Sequence, residues 1–260
     1  MGLIDLAGQT ALITGAAKRI GRCIALALAD QGADVIVHYN TSGDEAAALV
    51  SELKERGVDS NSFQASLDDE TQVTRMWRKA TAWAPRGRIS LLVNNASIFP
   101  SDTWETLSDR SLQQNLRVNA LAPLQLIRMF AEQREYKREW RGAKQPGCVV
   151  NLLDSRLGGY MRKHVSYALS KRALFSLTRM LALELAPGIR VNAVAPGMVL
   201  APEGAEGQEL ERLAARAPLA RWGRPEDVAN AVVFLLRSDY ITGQVIYADG
   251  GAFIKEDLYG

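Results

Sequence analysis

The sequence predicts a single α/β domain built on a Rossmann-type, doubly wound parallel sheet with helices on both faces. Seven short apolar runs alternate with segments whose apolar residues recur at helical spacing. Several of these runs are apolar on both faces, as parallel strands are when helices cover each side of a sheet. No linker, low-complexity tract or internal repeat interrupts the 260 residues. We therefore expect residues 1–260 to fold as one domain, which is possible for an α/β chain of this length.

The predicted elements alternate along the chain. The seven strands are TALIT from Thr10, DVIVH from Asp34, NSFQA from Asn61, ISLLV from Ile89, CVVNLL from Cys148, IRVNAV from Ile189 and QVIYA from Gln244. Helical spacing is present in IALALADQG, DEAAALVSELKERG, ETQVTRMWRKATAWA and PEDVANAVVFLL. Gly32 and Gly57 each close a helical segment ahead of a strand, where a left-handed residue commonly ends a helix. The irregular stretch at about 197–222 is interpreted as a flap that closes over a ligand, or else as a plain surface excursion.

Composition and charge argue against several classes of partner. The formal net charge is +2, and the densest basic stretch, Arg134 to Lys144, is interrupted by Glu135 and Glu139. Such a stretch is typical of a solvated helix end rather than of a nucleic-acid surface. No apolar run approaches the length that spans a bilayer, and the N-terminus lacks a signal-peptide pattern. The two cysteines, Cys23 and Cys148, are expected to be small buried residues. We expect a cytoplasmic protein that binds neither nucleic acid nor membrane, and no metal-ligand set is recognised.

The stretch TGAAKRIG, Thr14 to Gly21, follows the first strand and opens the first helix. Gly15 permits the tight turn and Gly21 permits close helix packing, while the N–H groups of the first helical turn can hold a pyrophosphate. Two glycines alone are a weak signal, but their position between a strand and a helix predicts a dinucleotide site.

The end of the second strand indicates which dinucleotide is bound. An NAD-type site would place a carboxylate there for the ribose 2′-hydroxyl. The residues present are instead His38, Tyr39, Asn40, Thr41 and Ser42, with no acid before Asp44. Lys18 and Arg19 add positive charge from the glycine turn, and the hydroxyl and amide donors suit a 2′-phosphate. NADP(H) is therefore favoured over NAD(H), the alternative being that Lys18 and Arg19 only face solvent.

Tyr167 and Lys171 are four positions apart on a predicted helix that begins near His164, so their side chains share a face. A free tyrosine is a poor acid or base at neutral pH, and a nearby ammonium group lowers its pKa by favouring the phenolate. Asp154 lies thirteen positions before Tyr167, at the end of the fifth strand. A carboxylate there can accept hydrogen bonds from a substrate ring or relay a proton to a ring nitrogen. Unless it is protonated, this carboxylate would be repelled by the lone pairs of an ordinary ketone.

The order and combination of these motifs resemble the short-chain dehydrogenase/reductase family over essentially the whole chain. The motifs are the glycine turn, NNA at Asn94 to Ala96, Asn119 in RVNA, the pair Tyr167 and Lys171, Pro196-Gly197, and the closing ITGQVIYADGG. The resemblance implies hydride transfer from a nicotinamide, with Tyr167 as proton donor and Lys171 binding the nicotinamide ribose. It also implies that Asn119 supports a water-linked proton path. Further implied cofactor contacts are Ile20, Ser66, Leu67, Asn95, Ala96, Ser97, Pro196, Gly197 and Met198.

Four features resemble the pteridine reductase branch of that family. Asp154 stands where most members carry a serine, and Arg19 replaces the glycine usual in the turn. HYNTS follows strand two, and Phe99 lies two residues beyond Ser97. The matching residues imply a pterin ring stacked between Phe99 and the nicotinamide, with Ser97, Arg19, Asp154 and Tyr167 around its polar edge. Two structural alternatives stay open: Asp154 as an Asx cap of the turn after its strand, and Phe99 as core or lid packing.

Two departures from the family pattern bear on cofactor contacts. Ser66 stands where the family usually has an aspartate that contacts adenine. Ala201 stands where a threonine often follows the Pro196-Gly197 motif. We expect the first contact to be weaker and the second to be absent.

The expected function is NADPH-dependent reduction of a pterin from a dihydro to a tetrahydro form. One alternative is an NADP-dependent carbonyl reductase of the same family, in which Asp154 is incidental. The other is an NADPH-binding or sensing protein without turnover, against which intact Tyr167, Lys171 and Asn119 argue. The resemblance implies a homotetramer packed through the long helices that carry Asn119 and Tyr167 and through the C-terminal strand.

Overall fold

Seven parallel strands form one sheet in the described part of the chain. The computed structural model describes residues 3–133, 147–159, 162–199, 215 and 217–254. The strands are β1 (Thr10–Ile13), β2 (Asp34–Tyr39), β3 (Ser60–Gln64), β4 (Leu91–Asn94), β5 (Gly147–Leu152), β6 (Ile189–Pro196) and β7 (Val245–Ala248). Their order across the sheet is β3-β2-β1-β4-β5-β6-β7, and every neighbouring pair is parallel. The predicted doubly wound α/β fold is confirmed, and each of the predicted strands is present.

Helices cover both faces of this sheet. Within the described residues the α-helices are α1 (Arg19–Ala29), α2 (Gly43–Glu55), α3 (Glu70–Trp83), α4 (Asp109–Leu116), α5 (Ala122–Ala131), α6 (Val165–Glu184) and α7 (Pro225–Arg237). Apolar side chains of α1, α2 and α7 pack on one face, and those of α3, α5 and α6 pack on the other. Burial of this apolar surface is the main favourable contribution to folding.

Strand β1 illustrates how the sequence produces two cores. Ala11 and Ile13 belong to the core beneath α1, whereas Leu12 belongs to the core beneath α3. Because successive side chains of a strand point to opposite faces, a run that is apolar at every position must be covered on both sides. The same alternation is present in β2, where Val35 and Val37 face one core and Ile36 the other.

The ends of α1 and α2 confirm the predicted helix stops. Gly32 and Gly57 have φ of 75° and 85°, a left-handed conformation that only glycine adopts without strain. Both chain reversals lead directly into the next strand, as the sequence predicted.

The strand order places the candidate site. Consecutive strands β1 to β3 run towards one edge of the sheet, and β4 then pairs with β1 on its other side. In open parallel sheets, ligands bind outside the carboxyl ends of the strands at such a switch point. The residues that follow β1, β4 and β5 therefore meet at one end of the sheet.

Several of the sequence-based expectations concern parts of the chain away from the candidate site. Cys148 is fully buried as predicted, but Cys23 is only partly buried, with its Sγ 3.6 Å from a Glu226 carboxylate oxygen. Most of the predicted flap, including Ala201, lies outside the described residues, and so does the basic stretch Arg134 to Lys144. In the described ranges, no helix combines the length and apolar character needed to cross a membrane.

Candidate active site

The glycine turn after β1 is packed tightly against the end of β4. Gly15 has φ of +62°, and a Cβ at Gly21 would overlap the Gly15 carbonyl oxygen. The Asn95 amide donates hydrogen bonds to the carbonyl oxygens of Thr14 and Gly15 at 2.9 and 3.0 Å. Side chains at either glycine would break this packing, which explains why the turn needs both.

Thr14 completes the junction between β1 and β4. Its buried Oγ1 accepts hydrogen bonds from the backbone N–H groups of Asn95 and Ala96 at 2.9 and 3.0 Å. The structure therefore brings the predicted positions Gly15, Asn95 and Ala96 together at the switch point of the sheet. Ser97 follows them and is exposed.

His38 supports the turn from the end of β2. The Gly15 N–H donates to Nδ1 at 3.1 Å, and Nε2 lies 3.0 Å from the Ala65 carbonyl oxygen, to which it donates. Burial lowers the pKa of His38 to about 4, so the ring is neutral. Both ring nitrogens are used by the protein, so the ring has none left for the cofactor contact predicted from the sequence. His38 instead fixes the turn that would touch a cofactor.

The predicted 2′-phosphate residues surround the start of α1. Lys18 is half exposed and forms an ion pair with Glu45 of α2 at 2.6 Å, so it does not only face solvent. Arg19 is exposed, and its guanidinium has no hydrogen-bond or ion-pair partner among the described residues. Its φ of +53° is left-handed, which accounts for the glycine usual in the family at this position. The other predicted residues here, Ile20, Tyr39 and Ser42, are partly buried, and Asn40 is exposed.

Two further sets of predicted cofactor residues lie at neighbouring strand ends. After β3, Leu67 is buried, and the Ser66 N–H donates to the Gln72 side chain at 2.9 Å. After β6, Gly197 lies so close to Asp249 that a Cβ would approach the Asp249 Cα at 2.7 Å. Met198 is partly buried beside it.

These residues fit a dinucleotide with phosphates at the turn. No side chain caps the first turn of α1, so its N–H groups are available to an anion. The Arg19 guanidinium lies at the same place, and the close packing of Gly21 on Gly15 holds the turn against the start of α1.

The second half of the site is a carboxylate and a phenol at the end of β5. The Tyr167 hydroxyl donates to Asp154 Oδ2 at 2.9 Å. Asp154 Oδ1 accepts from the Arg156 backbone N–H at 2.9 Å, and the Arg156 side chain forms an ion pair with the same oxygen at 3.2 Å. The Asx cap left open by the sequence is therefore present, and so is the contact with Tyr167. The Asp154 carboxylate makes both contacts, one with each oxygen.

Burial and charge set the protonation of the tyrosine and lysine. Desolvation, followed by the negative charge of Asp154, raises the pKa of Tyr167 well above its usual value. The net shift is therefore opposite to the lowering expected from Lys171, and the charge that opposes the rise is that of Arg156. Burial also lowers the pKa of Lys171 to about 8. Tyr167 is therefore a neutral phenol, suited to donating a proton.

Lys171 lies beneath Tyr167 on the same helix. Its Nζ donates to the Leu152 carbonyl oxygen at 2.8 Å and lies 5.7 Å from the centre of the Tyr167 ring. The predicted i, i+4 pair on one face of α6 is thus present. Both side chains are almost fully buried.

Asn119 links the end of β4 to α6. Its Oδ1 accepts from the Ile98 N–H at 2.9 Å and the Ser97 hydroxyl at 3.1 Å, and its Nδ2 donates to the Ser170 hydroxyl at 2.9 Å. It lies in a π-helical segment, Arg117–Leu121, that the sequence did not indicate. Such segments widen a helix locally and often occur at functional sites.

Phe99 lies at the open side of the site. Its ring centre is 4.5 Å from that of Tyr167 with the planes at 85°, and 3.8 Å from that of His164 with the planes at 12°. Phe99 is 49% exposed, so the alternative that it packs in the core is wrong. Nothing in the sequence indicates this stacking, because the pattern marks His164 only as the residue near which α6 begins.

A buried carboxylate that the sequence did not single out lies beside this group. Asp102 is 5% exposed and accepts hydrogen bonds from the Ser166 N–H at 3.2 Å and from the Ser166 hydroxyl. These bonds lower the pKa of Asp102 against the opposing effect of burial. Asp102 is 64 positions from the helix it caps, so no local pattern could identify it.

Comparison with known proteins identifies the family. Residues 15–252 match the family model described as enoyl-(acyl carrier protein) reductase. The chain is 35% identical to the 3-oxoacyl-[acyl-carrier-protein] reductase FabG of Staphylococcus aureus over 252 residues, which cover 95% of this chain and 98% of that protein.

Solved structures give a second set of relatives. The crystal structure of FolM alternative dihydrofolate reductase 1 from Brucella canis, complexed with NADP, is 34% identical with a TM-score of 0.87, covering 96% of each chain. A blue fluorescent protein from a metagenomic library, in complex with NADPH, is 30% identical with a TM-score of 0.84, covering 96% of this chain and 99% of that one. The match over nearly the whole length, together with the site described above, shows that this chain belongs to the short-chain dehydrogenase/reductase family of oxidoreductases.

Proposed function

We propose that the protein is an NADPH-dependent reductase of a pterin, converting a dihydropterin or dihydrofolate to its tetrahydro form. The observation that carries the proposal is the hydrogen bond between Asp154 and Tyr167 at the end of β5. The 34% identical FolM structure, described as an alternative dihydrofolate reductase, supports the same substrate class.

The chemistry of this pair favours a nitrogen-rich ring. A carboxylate only accepts hydrogen bonds, and the phenol can donate one. A pterin edge offers N–H donors that can replace the Tyr167 hydroxyl on the carboxylate, and a ring nitrogen that can then accept the hydrogen of the phenol. A ketone oxygen offers lone pairs alone, which a carboxylate repels. The pair therefore complements a planar heterocycle better than a simple carbonyl.

NADPH is the cofactor that the residues around α1 favour. The structures from Brucella canis and from the metagenomic library are described as complexes with NADP and NADPH. Arg19 and the uncapped first turn of α1 would hold phosphate groups, and Lys171 would bind the nicotinamide ribose. When bound, the cofactor supplies the hydride.

The residues of the chain supply the proton and the orientation. The Tyr167 hydroxyl, kept protonated by burial and by Asp154, delivers a proton to a substrate ring nitrogen. The Lys171 ammonium group stabilises the resulting phenolate, and Asp154 holds the N–H edge of the ring. Asn119 fixes the segment after β4 relative to α6, so that Ser97 and Tyr167 face the same ligand.

The second candidate function is reduction of a carbonyl such as a 3-oxoacyl group. The 35% identity to FabG of Staphylococcus aureus favours it. In that case Asp154 serves as the Asx cap after β5, and its contact with Tyr167 has no part in substrate choice.

The test is NADPH oxidation by the purified protein with 7,8-dihydrobiopterin and 7,8-dihydrofolate, beside acetoacetyl thioesters, simple ketones and quinones. Turnover of the dihydropterins well above the other compounds supports the proposal. Turnover of carbonyls alone refutes it in favour of the second candidate. Activity on none of them, with NADPH binding retained, would indicate a binding or sensing protein. The variant Tyr167→Phe, which should bind NADPH without turnover, is the reference for that outcome.

A further inference from the structure

His164 has a backbone conformation that needs an explanation. It precedes α6 with φ of 60° and ψ of 42°, in the left-handed region that residues other than glycine seldom adopt. Strained residues of this kind persist where their surroundings fix them, and they cluster at functional sites. The proposed pterin reduction assigns His164 no role.

The contacts of His164 tie it to the segment that carries Phe99. Its backbone N–H donates to the Asp102 carbonyl oxygen at 2.6 Å. Its Nδ1 lies 2.8 Å from the Pro100 carbonyl oxygen, and because a carbonyl only accepts, Nδ1 carries the hydrogen. Its ring lies 3.8 Å from the Phe99 ring, nearly parallel to it. The backbone, the ring edge and the ring face of one residue therefore all contact one short segment.

Asp102 anchors the far end of this segment. Its buried carboxylate receives the Ser166 backbone N–H and the Ser166 hydroxyl at the start of α6. His164, the residue that precedes the helix, provides no side-chain cap of its own. Phe99 is thus held at a set position relative to α6, with its ring plane at 85° to that of Tyr167.

We propose that His164 is a positioning residue that selects planar substrates by backing one face of the Phe99 ring. Phe99 is 49% exposed although His164 stacks on its ring, so part of the ring stays open to a flat ligand next to Tyr167. Stacking on a ring that is already held costs less than stacking on a mobile one. The identity of the ring as a pterin rests on the proposed function, whereas the preference for planarity does not.

Three variants separate the ring of His164 from its backbone. His164→Gly removes the ring and adopts φ of 60° without strain, and His164→Asn tolerates the same conformation without an aromatic ring. His164→Phe restores an aromatic ring, but the left-handed backbone conformation is strained for phenylalanine and lowers the stability of the protein. Ser101→Ala, at an exposed position of the same segment, is the matched control.

The substrates separate planarity from pterin chemistry. The first is 7,8-dihydrobiopterin. The other two are 9,10-phenanthrenequinone and 2,3-butanedione. Both are vicinal diketones, but only the first has a flat aromatic frame. We expect His164→Gly and His164→Asn to raise KM about three- to tenfold for the two planar substrates, with kcat changed less than about twofold. KM for butanedione should not change, and Ser101→Ala should match the wild type throughout.

The melting temperatures distinguish positioning from folding. His164→Phe should recover a low KM for the planar substrates although its melting temperature falls, whereas His164→Gly should melt close to the wild type. If KM follows the melting temperature across the variants, or if planar and non-planar diketones change in parallel, the proposal is wrong. If only the dihydropterin is not reduced while the quinone effect is present, the proposed function fails and the role of His164 stands.

A measurement without turnover covers the case in which no diketone is reduced. Phe99 is replaced by 4-fluorophenylalanine, and its ¹⁹F resonance is recorded in the wild-type and His164→Gly backgrounds, with and without 9,10-phenanthrenequinone. A resonance that shifts on removal of the His164 ring, and a weaker response to the quinone in that variant, support the stack. An unchanged resonance and an unchanged quinone response overturn it.

Discussion

Asp154 divides its two oxygens between two partners. Oδ1 accepts the Arg156 backbone N–H, and Oδ2 accepts the Tyr167 hydroxyl. From the sequence these were competing interpretations, because either one requires only an acid after the fifth strand. The sequence could not show that both bonds form together, since that depends on where α6 places Tyr167. The candidate residues could therefore be named in advance, but not their division of roles.

Replacing Asp154 tests the substrate class. We expect Asp154→Ser to lower kcat/KM for 7,8-dihydrobiopterin by about 100-fold, because the serine hydroxyl can still cap the turn but supplies no negative charge to the ring edge. Turnover of simple ketones, measured by NADPH oxidation, should remain close to the wild type. Asp154→Asn is the control that keeps the size and the cap acceptor without the charge, and it should resemble the serine variant. Dihydropterin activity that survives both replacements would contradict the proposed role.

The lowered pKa of Lys171 leads to a prediction about the pH dependence of the reaction. Burial lowers the pKa of its ammonium group to about 8, so the positive charge beside Tyr167 is present below that pH and is lost as the pH rises through it. The pKa of Tyr167 is raised, so the phenol is still protonated there and is not the group that titrates. We expect kcat/KM for reduction to fall above about pH 8 in a profile from pH 6 to 10.

The matched variant is Lys171→Arg. A guanidinium stays protonated across this range, so the fall near pH 8 should move to higher pH, although the activity is lower because the planar group fits the space poorly. The same basic limb in both proteins would show that another group controls it.

At the scale of elements, helical spacing predicted α1, α2, α3 and α7 but not the irregularities that shape the site. The π-helical segment around Asn119 is stabilised by the Ile98 N–H, 21 positions away, and the start of α6 by Asp102, 64 positions away. Periodicity within a helix carries no information about partners at such distances. These irregularities therefore became visible only in the folded chain.

His38 joins three elements, and its burial makes their junction sensitive to acid. It links β2 to the Gly15 turn and to Ala65 after β3. Its pKa is lowered to about 4 by burial, below the 6.5 of an exposed histidine, so the folded state loses stability as the pH falls from 6.5 towards 4. Between pH 7 and 5 we expect this residue to cost on the order of 2 kcal/mol of unfolding free energy.

Urea unfolding followed by circular dichroism at pH 7 and pH 5 measures this cost. His38→Gln keeps a donor and an acceptor but does not titrate. It should be less stable than the wild type at pH 7 and should lose less stability between the two pH values. An equal loss in both proteins would place the acid sensitivity elsewhere.

At the scale of the whole molecule, the sequence predicted the fold class but not the neighbours in the sheet. Consecutive apolar residues such as Ala11, Leu12 and Ile13 show that a strand is covered on both faces, which depends only on local pattern. That β4 lies beside β1 and not beside β3 is set by packing across the whole chain. This placement creates the switch point where the glycine turn, Asn95 and Asp154 meet.

The homotetramer stays a prediction, and α6 shows where to test it. Met180 and Leu183 are 64% and 85% exposed on this helix, and Leu169 is 44% exposed nearer the site. Exposed apolar side chains grouped on one helix often mark an interface between subunits. We expect Leu183→Glu to convert tetramers to smaller species in light scattering, because a charge would be buried in the interface.

The control is Ser51→Glu, which adds the same charge at an exposed position on α2 and should leave the assembly intact. A monomeric wild type would refute the assembly itself, and a tetramer that survives Leu183→Glu would place its interface on another surface.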